Sequence, residues 1–239
     1  MRVSIVNAVL DSPEVVRRHV LHYQKIGLPD DVEWIIVDDG SEPPLPENDM
    51  YRLFQTNDKR AWTQPTARNI GVKHAKGEYL ILTDIDHIIS RDVIELARST
   101  DADLIRFKRY AGVLDKNGDF TQDWDVLKQY GLKEKYRDSL RLSPHSNSFI
   151  IKKDVYINYG MVSERFVGTG AYPNREEIPF KNRINKAIGA GDVKYAGDDN
   201  RPSIYMIPNG RYCGDADYNP FGLFHTLNRL GRRHLRHAK

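Results

Sequence analysis

Apolar residues cluster in short, dense runs in the first third of this chain and scatter into mixed patterns later. Val3 to Leu10 and Trp34-Ile-Ile-Val37 read as buried strands, and so does the run that opens at Tyr79. Between the first two, Val15, Val16, Val20, Tyr23 and Ile26 recur at helical spacing. Asp11-Ser-Pro-Glu14 supplies the start of that helix, with Ser12 as cap and Pro13 at the first helical position, and Gly27 stops it. Pro43, Pro44 and Pro46 predict a loop, Tyr51 to Phe54 a third strand, and a helix follows Pro65 to about Ala75. Strands alternating with helices at this pace predict a mainly parallel sheet with right-handed crossovers.

The second half carries weaker periodicity. Ala102 to Val113 reads as one strand, and Asp115-Lys-Asn-Gly-Asp119 contains the Asn-Gly signal of a tight turn. A polar stretch over 121–145, with Trp124, Tyr130 and Tyr136 interspersed, predicts short helices or an insert. Ser148 to Lys152 reads as a strand. Phe166 to Tyr172 is a glycine-bearing loop leading into Arg175-Glu176-Glu177, and Phe180, Ile184, Ala187 and Ile188 mark an amphipathic helix. The expected organisation is one domain over 1–228, with a nucleotide-binding half over 1–100. Its second half, 101–228, has an insert at about 112–145, and a tail follows over 229–239.

Composition adds little to this picture until its distribution is considered. The net charge of +3 over 239 residues demands no polyanionic partner. The last eleven residues, Arg229 to Lys239, nevertheless hold five Lys/Arg and no acid. They read as a solvated end, as a patch for anionic lipid headgroups, or as a nucleic-acid contact. The single cysteine, Cys213, leaves no internal disulfide and fits a reducing compartment. No run approaches the roughly 20 apolar residues of a membrane span, so the expected location is cytoplasmic, with peripheral membrane contact through the tail.

Asp-x-Asp occurs four times, at Asp84/Asp86, Asp101/Asp103, Asp123/Asp125 and Asp215/Asp217. Only the first follows a continuous apolar run. A strand that delivers two carboxylates to its carboxyl end builds a negative pocket where open α/β sheets keep ligands. Paired hard oxygens there suit a divalent cation carrying phosphates.

Asp38-Asp39-Gly40-Ser41 closes the second strand, and Ala67-Arg68-Asn69-Ile70-Gly71 opens a helix. Gly77-Glu-Tyr-Leu-Ile-Leu-Thr-Asp-Ile-Asp86 follows, then Glu176-Glu177. In this order the four closely resemble the family 2 glycosyltransferases. The resemblance is specific over about 1–90 and looser over 145–230. It implies the GT-A fold: a Rossmann-like, mainly parallel central sheet with flanking helices and a smaller antiparallel region on the acceptor side. It also implies metal-dependent, inverting transfer from a nucleoside-diphosphate sugar, UDP first among the nucleotides, to a hydroxyl of a glycan, lipid-linked or other acceptor.

The resemblance assigns Asp39, with Asp38 beside it, to the nucleoside. Asp86 would ligate Mn²⁺ or Mg²⁺, and Asp84 the ribose or a metal-bound water. Arg68 would hold Asp39 or a phosphate. Glu177 becomes the general base with Glu176 as its hydrogen-bonding neighbour, although Glu for the family's Asp and the inserted Tyr172-Pro-Asn-Arg175 leave Glu176 as the alternative base. His225 resembles the late histidine that completes some metal sites of this fold, and His87 is the other candidate. Residues 112–145 and the loop 168–174 are expected to shape the acceptor site, with Trp124, Tyr172 or His145 stacking on a sugar or base. A non-catalytic nucleotide-sugar or glycan-binding relative is the competing reading. The absence of a glycine-rich phosphate loop after the first strand argues against a nucleotidyltransferase, and that of a Gly-x-Gly-x-x-Gly there against a redox Rossmann enzyme.

Overall fold

The structure, a computed structural model, describes residues 1–60, 63–165, 167–168 and 177–214. The first half contains strands β1 (Val3–Val9), β2 (Val32–Asp38), β3 (Arg52–Gln55) and β4 (Tyr79–Leu82). Helices α1 (Pro13–Ile26) and α2 (Gln64–His74) connect them. Beyond β4 come β5 (His87–Ile88), α3 (Arg91–Ser99), β6 (Leu104–Arg106), β7 (Lys108–Ala111), β8 (Val113–Leu114) and β9 (Phe120–Thr121). They are followed by α4 (Trp124–Gln129), β10 (Arg141–Leu142), β11 (Phe149–Lys152), α5 (Lys153–Asn158), α6 (Glu177–Ala190) and β12 (Ser203–Met206).

The main sheet has the order β3-β2-β1-β4-β11-β6. Its first four strands are parallel, whereas β11 runs antiparallel to both β4 and β6. All seven residues of β1 and of β2 are buried, because helices cover both faces of a parallel sheet. A second, mixed sheet orders β10-β7-β12-β5. The expected single strand over Ala102–Val113 is instead three short ones, β6, β7 and β8, each in a different sheet. Phe107 and Gly112 fall at the two breaks. A Cβ on Gly112 would lie 2.7 Å from the Phe120 ring and 2.9 Å from Tyr205, so a larger residue at this break would force those side chains aside.

Tyr23, Trp34 and Tyr51 form an edge-to-face chain, with centroids 4.8 and 5.2 Å apart, beneath α1. Each such ring pair adds about 0.5–1.5 kcal/mol beyond its buried area. On the other face α2 lies so close to the sheet that a Cβ on Gly71 would approach Val6 to 2.4 Å. Ser12 precedes α1, but its hydroxyl donates to the Leu10 carbonyl at 2.8 Å and gives the helix no side-chain cap. Pro13 and Gly27 stand at the two ends as expected. No described helix is long and apolar enough to cross a membrane.

Candidate active site

Strand β4 ends at Leu82, and the chain leaves the sheet through Thr83-Asp84-Ile85-Asp86. Two contacts fix this exit. The Asn7 side chain donates to the Thr83 carbonyl at 2.9 Å, while Trp34 Nε1 donates to Asn7 Oδ1 at 2.8 Å. These bonds tie β1 and β2 to the residue that follows β4. Ile85 is buried, which turns its neighbours Asp84 and Asp86 toward the sheet edge. Further on, Ile207 N–H donates to the Asp86 carbonyl at 2.9 Å, joining the segment to the end of β12.

Asp84 Oδ1 accepts from Arg68 Nη2 and from Gln64 Nε2, both at 2.8 Å and both from the first turns of α2. Its Oδ2 lies 3.5 Å from His145 Nε2. The other ring nitrogen, His145 Nδ1, is 2.8 Å from the Ser148 hydroxyl, which fixes the ring and leaves Nε2 toward the carboxylate. Asp86 Oδ2 accepts from Asn209 at 2.8 Å. His87 Nδ1 stands 2.8 Å from Asp86 Oδ1, but the approach misses hydrogen-bond alignment, so both buried atoms lack an aligned partner. Behind His87, the buried Arg109 places Nη1 3.4 Å from Nε2 and donates through Nε to the Ser143 carbonyl at 2.8 Å.

Burial raises the carboxyls of both aspartates, yet their surroundings reverse the sign. For Asp84, His145, where acid protonates it, and Arg68 outweigh burial and hold the group below its ordinary value. For Asp86, His87 and the Asn209 hydrogen bond hold it well below the usual carboxylate range. Both are anions at neutral pH. Burial pushes the His145 imidazole below its ordinary value despite Asp84, so the ring is neutral and keeps a lone pair for a ligand.

The donor atoms of Asp84, His87 and His145 lie within 4.8 Å of one another. One carboxylate and two imidazoles meet there, and Asp86 Oδ1, buried and without an aligned partner, stands 2.8 Å from His87; this donor set fits a divalent cation. Oxygen ligands suit Mg²⁺ and Mn²⁺ alike, while the imidazole favours Mn²⁺.

The acids after β2 are bound differently. Asp38 Oδ1 accepts from Ser41 N at 2.8 Å and Oδ2 from Leu45 N at 2.9 Å, so this carboxylate closes the loop that follows. Asp39 Oδ1 accepts from Thr63 Oγ1 at 2.6 Å and from Thr56 Oγ1 at 3.2 Å. Glu177 begins α6 and is 9% exposed. One turn later Phe180 stacks on Phe149, with centroids 5.8 Å apart, and Phe149 pairs with Leu82 in the sheet. This packing brings the start of α6 to the edge that holds Asp84.

A profile of the family described as "Glycosyltransferase like family 2" matches residues 12–190. The chain belongs to that family. Among solved structures, S. aureus TarS 1-349 in complex with UDP-GlcNAc is similar at 16% identity and a TM-score of 0.55, over 89% of this chain and 60% of that one. The mannosyltransferase PcManGT from Pyrobaculum calidifontis, in complex with GDP-Man and Mn²⁺, is similar at 15% identity and a TM-score of 0.51, over 88% and 58%. The chain thus spans about three-fifths of the length of these relatives. A search of curated protein sequences gives no match. The match and the mainly parallel sheet agree on the GT-A glycosyltransferase fold of this transferase family.

Within this family member, Asp84, Asp86 and Arg68 meet at one place, and Arg68 pairs with Asp84 rather than with Asp39. Glu176, His225, Trp62, Tyr172 and the basic tail lie outside the described residues. Two residues of the site carried no role there in the sequence reading. His145 arrives from the loop before β11, where its expected part was stacking on a sugar or base. Arg109 sits in β7, within the run read as a single strand, where it was given no role.

Proposed function

We propose that the chain is a metal-dependent, inverting glycosyltransferase that moves a sugar from a nucleoside-diphosphate sugar, UDP first, to an acceptor hydroxyl. The observation that carries this reading is the convergence of Asp84, His87 and His145 at the carboxyl edge of the sheet, with Asp86 2.8 Å from His87. The complexes of its structural relatives with UDP-GlcNAc, and with GDP-Man and Mn²⁺, support the donor class.

Asp84, His87 and His145, with Asp86 beside them, would hold Mn²⁺ or Mg²⁺, which when bound supplies countercharge to the leaving diphosphate. Asp39 accepts hydrogen bonds from the nucleoside, on a loop that Asp38 keeps closed. Glu177 takes the proton of the acceptor hydroxyl as its oxygen attacks the anomeric carbon. The bond from that carbon to the diphosphate oxygen breaks with its electron pair, and one displacement inverts the centre. Arg68 holds Asp84 in position and balances its charge.

Calorimetric titration with UDP tests the reading. Binding should require Mn²⁺ or Mg²⁺ and should weaken at least about tenfold in Asp86→Asn, which removes one anionic ligand. Equal UDP binding with and without metal would overturn it.

A further inference from the structure

His145 belongs to two places at once. Besides facing Asp84, it lines a cavity of about 310 Å³ at the same edge of the main sheet. Strand pairing explains the position. Phe149 of β11 stands opposite Leu82 on one side and Arg106 on the other, so the end of β6 lies two strands from the end of β4. Helix α6 covers the space between with Phe180, Lys181 and Ile184.

The cavity has an apolar floor and a cationic rim. Phe149, Phe180 and Ile184 are buried beneath it, while Arg106, Lys181 and Arg201 surround it. Among the described residues its lining includes no carboxylate. Arg201 pairs with Asp198, whose side chain is 69% exposed. Arg106 donates instead to the neutral amide of Asn185 and lies over the Tyr195 ring at 5.2 Å, neither of which cancels its charge. Lys181 enters no salt bridge among the described residues. The exposed Asp198 feels both Arg201 and Arg106, so it offsets part of the charge of three rim cations, and the positive remainder above an aromatic floor attracts an anion more strongly than it would in bulk water. A guanidinium fork beside an ammonium suits phosphate or carboxylate oxygens.

Helical spacing ties this cavity to the chemistry. Residues 177, 180, 181 and 184 share one face of α6, so the base proposed above and the cavity wall are successive turns of the same surface. An acceptor seated here would present a hydroxyl toward Glu177, with the donor on the other side of His145. We propose that the cavity is the acceptor subsite, and that it takes a saccharide or polyol bearing a phosphate or carboxylate group. Its volume suits one such unit. The assignment to the acceptor rests on the glycosyltransferase reading; the charge preference rests on the cavity alone.

The test titrates the full chain with glycerol 3-phosphate, glucuronate and glucose, in the presence of UDP and Mn²⁺ and again without them. One or both anions should bind and glucose should not, and the stronger anion tells phosphate from carboxylate. Lys181→Ala and Arg106→Gln should each weaken the anion about fivefold, and together about twentyfold, with UDP binding unchanged. Lys181 is exposed, so its variant tests the charge without disturbing the core. Failure of both anions to bind, equal binding of glucose, or variants that leave the anion unaffected would overturn the proposal. Loss of UDP binding in the same variants would hand the cavity to the donor and overturn it too. If UDP never binds with metal, the glycosyltransferase reading fails and takes the acceptor assignment with it. The titrations without nucleotide still decide the charge preference.

Discussion

Arg68 and Asp84 form a single charged joint between helix α2 and the end of β4. The guanidinium is 3% exposed, donates to Asp84 Oδ1 at 2.8 Å through Nη2, and donates to the Asn147 carbonyl at 2.8 Å through Nη1. One side chain therefore connects the first half of the sheet to the loop that brings His145. Arg68→Ala leaves a mostly buried carboxylate without its partner and should cost about 2–4 kcal/mol. Urea denaturation should show this loss, and metal-dependent UDP binding should weaken with it. Arg68→Lys keeps the charge but loses the two-pronged geometry, so its stability should fall between the two.

The paired acids after β2 should separate in mutation. Asp38→Ala orphans the buried N–H groups of Ser41 and Leu45, at about 1–3 kcal/mol each. It should chiefly lower the denaturation midpoint. Asp39→Ala should chiefly weaken UDP binding. Calorimetry and denaturation on both variants check the contrast, and equal effects of the two on UDP would refute the division of roles.

Glu177→Gln keeps the shape of the residue and removes its basicity. Sugar transfer, or slow hydrolysis of the donor in place of transfer, should fall by about 10²–10⁴, while UDP binds as before. An unchanged turnover would reject Glu177 as the base and direct attention to Glu176. A protein with no turnover in either form, yet tight donor binding, would be the non-catalytic relative.

Acid should weaken the fold through His19. Burial pushes this imidazole down to about 4, and its two nitrogens face the carbonyls of Val15 and His87 at 2.9 and 3.2 Å. The unfolded chain, with an ordinary value near 6.5, binds the proton first. Stability therefore falls as pH drops from about 6.5 toward 4, by about 2–3 kcal/mol in all from this group. His19→Gln should flatten that part of the curve in denaturation series between pH 7 and 4.

The parts of the site that lie on continuous strands were legible in the sequence, because a dense apolar run announces both a buried strand and its end. Asp38, Asp39, Asp84 and Asp86 all follow such runs. His145 was not placed at the metal, since its position depends on a pairing between distant segments. Phe149 sits opposite Leu82, and continuing that register backward carries the loop past Asp84 and Asp86. No local pattern encodes this. Arg109 was hidden for a similar reason: β7 alternates buried and half-buried positions only because β10 and β12 flank it. The split of Ala102–Val113 into three strands reflects where each segment finds a partner rather than its propensity.

The reversed strand β11 also has a consequence for how the protein comes to be. Its partner in β4 lies some seventy residues earlier, with Ile150 paired to Ile81, and contacts of such separation close late. Asp84 and Asp86 leave the ribosome long before His145 can reach them. A chain truncated between His145 and β11 would keep both aspartates and the histidine yet lack the strand that seats the ring beside them, so the site matures only when the later half docks.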